Sequence, residues 1–212
     1  MTAAIPIQSQ PSWTDEDRAR AEHYALLARL LHAAPDAALL DALARAGQTL
    51  GADAGAGALP QAWAALGAAA AAMPRQVVGD EFAALFVSIG KPAVMCNGSW
   101  YLTGFLQEEP LAELRADLVE LGLGRRAGVT ETEDHIAALA EVMRHLVLTA
   151  PDEAGLQRQR AFFGRHIAPW YADLARALVQ APGADFYARV GALLLAFMDI
   201  EREAFDMLEA SA

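Results

Sequence analysis

Thr130-Glu131-Thr132-Glu133-Asp134-His135 runs straight into Ile136-Ala137-Ala138-Leu139-Ala140-Glu141-Val142-Met143-Arg144-His145-Leu146. The second part repeats apolar residues at the three- and four-residue spacing of a helix with one buried face. The first part carries a start signal, because Thr130 and Glu133 have the spacing of a capping box. This reading predicts a helix beginning here, with Glu131, Asp134 and His135 together on one face of its first turn. The acids suit the positive end of the helix dipole, whereas an imidazole there is harder to protonate, so His135 needs another reason to be present. Capping acids beside a half-buried histidine are one reading. A Glu131/His135 metal pair is a second, but zinc wants three or four ligands and no second pair at ligand spacing appears. An Asp134/His135 acid-base dyad is a third, with no nucleophile or oxyanion site nearby in sequence. No catalytic residue, metal or cofactor is expected.

The same helical period extends through most of the 212 residues, whose length suits one well-filled core. Hydrophobic residues make up 55% and charged residues 20%, and the chain is alanine-rich with few β-branched runs, which favours helix almost throughout. The formal net charge of −11 lacks the basic footprint of a nucleic-acid binder and favours a basic partner. Cys96 is the only cysteine, so no internal disulfide or cysteine-based zinc ribbon forms. Residues 1–13 read as a disordered arm without a basic region followed by an apolar core, and no stretch has the length and apolarity of a membrane span. The chain is expected to stay in the cytoplasm.

Ser12 or Thr14 caps a first helix with an acidic first turn and an apolar face of Tyr24, Leu27, Leu30 and Leu31, stopped by Pro35. Helices follow over 36–50 and 59–73, separated by the glycine-rich residues 51–57. Pro74 opens a fourth helix bearing Phe82, Leu85 and Phe86. From Ser88 to Tyr101 the periodicity fails, and a loop holding Cys96, Trp100 and Tyr101 has the character of a binding segment, or of a core plug. Further helices are predicted over 111–121, from the opening stretch, and over 152–166, 170–179 and 185–208. The last is nearly all-round apolar in its first half and should be enclosed by the others. The expectation is an all-α chain of about nine helices forming one domain over 14–212.

Several stretches, in this order, resemble the TorD family of cytoplasmic chaperones for molybdenum enzymes, which includes the DmsD and NarJ-like proteins. Glu131-Thr132-Glu133-Asp134-His135 resembles its Glu-Pro-x-Asp-His signature, with Thr132 in place of proline. Asp80-Glu81-Phe82-Ala83-Ala84-Leu85-Phe86, Ser99-Trp100-Tyr101 and Phe162-Phe163-Gly164-Arg165-His166-Ile167-Ala168-Pro169-Trp170 resemble its other segments. The resemblance implies a helical bundle that binds the twin-arginine signal peptide, and the apo form, of a molybdopterin enzyme and delays export until the cofactor is inserted. It places Asp134, His135 and Glu131 at the rim of a peptide groove, with Trp100, Tyr101, Tyr24 and Phe86 on its apolar side, and Arg125 and Arg126 in ion pairs. Charge steers such an encounter and apolar burial holds it. Two alternatives belong to other classes: a helical enzyme or nucleotide binder using Asp134 and His135, and an assembly subunit docking on a folded enzyme. Guanine nucleotide has been suggested for the family, but the chain has no phosphate-binding Gly-x-x-x-x-Gly-Lys-[Ser/Thr] loop. The connector from Gly122 to Gly128 is compatible with a monomer or a helix-swapped dimer.

Overall fold

The computed structural model describes residues 13–87, 90–125, 128 and 131–210. Ten α-helices occupy most of them: α1 (Asp15–His32), α2 (Ala37–Leu50), α3 (Ala58–Ala72), α4 (Arg75–Phe86), α5 (Gly98–Thr103), α6 (Glu109–Glu120), α7 (Ile136–Thr149), α8 (Glu153–His166), α9 (Tyr171–Gln180) and α10 (Phe186–Ala210). A single 3-10 turn, Ala54–Ala56, precedes α3. Among the described residues there is no strand, only an isolated antiparallel bridge between Asn97 and His135. The all-α expectation holds, and the helix beyond the nine expected is the short α5, which begins within the aperiodic stretch and runs two residues past it.

Side-chain caps explain four starts among the described residues. Thr14 accepts from the Asp17 amide, and Asp17 closes the capping box. Asp36 caps α2 by accepting the Leu39 amide and Asp152 caps α8 by accepting the Gly155 amide, without a reciprocal bond. Ser12, the other candidate cap for α1, and residues 1–12 of the expected arm lie outside the described residues. The start of α7 differs from the expectation. Thr130 and Arg126 lie outside the described residues, and the helix begins only at Ile136, capped by His135, whose Nδ1 accepts the Ala137 amide at 3.1 Å. Glu133 instead pairs with Arg115 of α6 at 2.9 Å, and with Arg125 at 3.9 Å.

α10 forms the axis of the core. Phe186, Tyr187, Val190, Leu194 and Met198 have no exposed surface, and the helix packs against α9, α3, α1, α4 and α8. Its first turn is capped from a distance: Glu81 of α4 accepts the amides of Asp185, Phe186 and Tyr187 at 2.7–3.0 Å. α1 lies along α7, and α2 against α3. The α2/α3 crossing is close because a Cβ on Gly47 would stand 2.5 Å from the Gly67 Cα, so only glycine fits. No helix among the described residues is long and apolar enough to cross a membrane.

Candidate functional site

Asp134 sits one residue before the α7 cap and is 4% exposed. Its Oδ2 accepts from the Ser99 amide at 3.0 Å and the Ser99 hydroxyl at 2.5 Å. Its Oδ1 accepts from the Thr132 hydroxyl at 2.5 Å and the Asn97 side-chain amide at 3.1 Å. Four donors fill the roughly four lone-pair directions of a carboxylate. Burial by itself raises a carboxyl pKa, but the bonds from Ser99, Thr132 and Asn97 outweigh it and hold Asp134 below its usual range. The main chains pair beside it: the Gly98 amide donates to the Asp134 carbonyl at 3.0 Å, and the Ile136 amide to the Cys96 carbonyl at 2.8 Å. Asp134 therefore knots the start of α5 to the start of α7.

α5 rests on Trp170. A Cβ on Gly98 would lie 2.9 Å from the Trp170 indole nitrogen, which itself donates to the His166 carbonyl at 2.7 Å. Tyr101 stacks on the same indole, with centroids 5.5 Å apart and planes at 15°, and its hydroxyl donates to the Met95 carbonyl at 2.8 Å. The Ser99 hydroxyl oxygen also accepts the Gln107 amide at 3.4 Å. Between these anchors the chain turns through Gly104 (φ +82°) and Gln107 (φ +62°) and presents Phe105, 68% exposed, with Leu102 and Leu106 also exposed. Three large apolar residues clustered on a short surface segment are an interaction feature rather than scattered surface hydrophobics. Exposed Glu108, Glu109 and Glu113 follow directly. The result is an apolar ledge flanked by acids, above a cavity of about 80 Å³ lined by Ser99, Leu114, Asp134, His166 and Trp170 among others.

The residues expected at the site divide into two groups. Asp134, His135, Glu131, Trp100 and Tyr101 lie on the two segments that the knot joins. Asp134 is buried in the knot and not at a rim. The half-buried His135 spends Nδ1 on the α7 cap, so its proton is on Nε2; burial pushes its pKa down to about 4, against the pull of Glu131 and with the help of His32. Asp134 and His135 thus each spend acceptors on holding backbone, and the proton-sharing dyad considered from sequence does not form. Glu131 is exposed and Trp100 half-buried, with the Lys91 ammonium 3.9 Å from the ring centroid. Tyr24 and Phe86 belong elsewhere. Tyr24 has no exposed surface and meets Phe197 edge-on, and Phe86 clusters with Phe82 and Tyr187, because both lie in the helix stripes that face α10. Sequence reading missed Asn97 and the ledge. Leu102-Thr103-Gly104-Phe105-Leu106, an apolar run that no helix period absorbs, was the available signal.

A second polar centre lies between α1, α8 and α10. Arg20 donates from Nε and Nη2 to the two Glu201 oxygens at 2.7 and 2.9 Å, and from Nη2 to Gln159 at 3.0 Å, while the Tyr24 hydroxyl donates to Glu201 at 2.9 Å. It floors a groove of about 490 Å³ walled by Leu59, Leu156, Phe197, Ile200 and Met207. Asp117 ties α6 to α8 by accepting from Arg165 at 2.8 Å and meeting the His166 Nε2 at 2.7 Å. Burial lowers the His166 pKa more than Asp117 raises it. Among the described residues no three His, Cys, Asp or Glu side chains are grouped as a metal site requires.

The family model described as nitrate reductase delta subunit matches residues 52–176, more than half of the chain. The chain is also similar to the chaperone protein TorD of Vibrio cholerae serotype O1, at 25% identity over 136 residues covering 60% of this chain and 62% of that protein. It is 27% identical over 130 residues to the chaperone protein TorD of Photobacterium profundum, covering 57% and 60%, and 23% identical over 130 residues to that of Aliivibrio fischeri, with the same coverage. The chain spans about three fifths of the length of these relatives. The family match contains the Asp134 knot and the ledge; Arg20, Tyr24 and Glu201 lie outside it.

Proposed function

The chain belongs to the nitrate reductase delta subunit family, the family of TorD-like chaperones, and from that premise we propose that it is a maturation chaperone holding a basic, apolar segment of an immature redox enzyme. The segment is the twin-arginine signal peptide of a molybdopterin enzyme, bound in the cytoplasm before export. One observation carries the reading: Leu102, Phe105 and Leu106 stand exposed on a segment anchored through Ser99 to Asp134, with Glu108, Glu109 and Glu113 beside them. Such a surface complements a peptide that is apolar along one stretch and cationic at one end. Trp100 and Tyr101 continue the apolar side, and His135 and Glu131 border it. Asp134 acts by positioning. Tyr24 and Phe86 have no part in the site.

The test is calorimetry with a synthetic peptide of two adjacent arginines followed by an alanine-leucine segment. Phe105→Ser is expected to weaken binding about ten- to hundredfold, the equivalent of losing one buried phenylalanine, while leaving the circular dichroism spectrum and Tm unchanged. Affinity should fall with added salt without vanishing, since screening reaches the acids and not the apolar contact. Unchanged binding by Phe105→Ser would remove the ledge from the site.

A further inference from the structure

We propose that the indole face of Trp100 is a cation subsite, occupied in the free protein by the chain's own Lys91 and taken over by an arginine side chain of the bound segment. The inference rests on the peptide-holding function proposed above and names the contact that reads its positive charge. The Lys91 ammonium lies 3.9 Å from the ring centroid, well inside the distance of about 6 Å at which a ring face attracts a cation. The ring already holds a cation, so its electrostatics and access suit one. Its backbone is fixed: the preceding Ser99 is bound twice by Asp134, and the Trp100 carbonyl accepts the Gly104 amide at 2.9 Å. The following Tyr101 is stacked on Trp170. Trp100 is thus presented from a short helix held at both ends, next to the segment that carries the ledge.

The identity of the resident cation matters. Lys91 is the only lysine in the chain, against fifteen arginines. An ammonium is a compact, strongly hydrated point charge on a flexible stem, whereas a guanidinium is planar, weakly hydrated and stacks flat on an aromatic face. Exchanging the first for the second at an indole face is favourable. Lys91 is itself exposed, so its side chain can leave the ring without being drawn through the core. An arginine at position 91 would compete with an incoming guanidinium on equal terms. A lysine yields to it.

The experiment compares the arginine peptide described above with the same peptide carrying citrulline at both arginines, which keeps the shape and removes the charge. Both are titrated into the parent protein, Lys91→Met, Trp100→Leu and the double variant, each checked for an intact helical spectrum. Lys91→Met is expected to tighten the arginine peptide about two- to fivefold, the range of an exposed cation–π contact. Trp100→Leu should remove most of the preference for arginine over citrulline, and Lys91→Met should produce no tightening once Trp100 is gone. Tightening that persists in the double variant would mean that Lys91 acts only through long-range charge, and the subsite would be overturned. A Lys91→Met variant that binds the arginine peptide like the parent overturns it too, while leaving the chaperone reading in place. Failure of the parent to bind either peptide removes both.

Discussion

Asp134 and Glu201 are both carboxylates with almost no exposed surface, and the protein uses them in opposite ways. Asp134 is satisfied by uncharged donors from Ser99, Thr132 and Asn97, and what it holds is a surface segment. Glu201 is satisfied by Arg20 and Tyr24, and what it holds together is α1 and the last long helix. A carboxylate held by neutral donors is stabilised by hydrogen bonds that a displaced loop can recover from water. One paired with a guanidinium leaves a buried charge behind when it is lost. Damage at Glu201 should therefore act on the fold, and damage at Asp134 on the ledge.

The largest effect should come from Glu201→Ala, which takes the bidentate partner from the Arg20 guanidinium and leaves it only Gln159 and Asp17, the latter at 3.6 Å; it should cost about 3 kcal/mol in urea melts. The double variant Arg20→Met/Glu201→Leu should recover much of that loss, because removing both partners leaves no guanidinium short of its main partner. A double variant as unstable as the single one would contradict the charge argument. Asp134→Ala should cost less, about 1–3 kcal/mol. Its diagnostic is local: faster hydrogen exchange at the Ser99 and Gln107 amides, and weaker peptide binding out of proportion to the change in Tm. Equal loss of protection across α10 would erase the distinction between the two centres.

A pH titration sharpens the comparison further. His135 takes its proton near pH 6.5 when unfolded and only near about 4 when folded. Between those values the unfolded chain binds more protons, so stability falls as pH falls through that window, and the contribution is gone below it. His166 is shifted in the same direction. His135→Asn, which keeps a capping acceptor and removes the titration, should flatten part of the slope of Tm against pH between 4 and 6.5. Asp134 shifts in the same direction, its folded pKa lying below the ordinary carboxylate value, but its window starts lower, so its contribution persists between pH 4 and 6.5 and fails only at more acid pH. The smallest effect belongs to Glu133→Gln. The Arg115 partner is half exposed, and an ion pair of that kind contributes about 0–1 kcal/mol, less at high salt.

Local signals carried far in this chain. Thr14, Asp36 and Asp152 announce their helices through contacts three residues away, and the apolar half of α10 reads as buried because no face of it is polar. The same logic misplaced the start of α7. Glu133 has capping-box spacing from Thr130, but its carboxylate goes to Arg115, 18 residues back, and the cap falls to His135. Tyr24 and Phe86 carried the right chemistry for an apolar groove, but nothing in their own helices tells which neighbour their stripe meets.

The sequence by itself determined an all-helical chain, most of its helix boundaries and its acidic character. These follow from residues within one or two turns of each other, where backbone geometry sets the spacing. Only the tertiary structure decided that Asp134 is a buried fastener, that Phe105 is left outside, and that Lys91 lies over Trp100. Asp134 meets Ser99 across 35 residues, Glu81 meets Tyr187 across 106 and Arg20 meets Glu201 across 181. A carboxylate must find donors when it is buried, but which donors reach it depends on how whole helices pack, and that information is not contained in any local stretch.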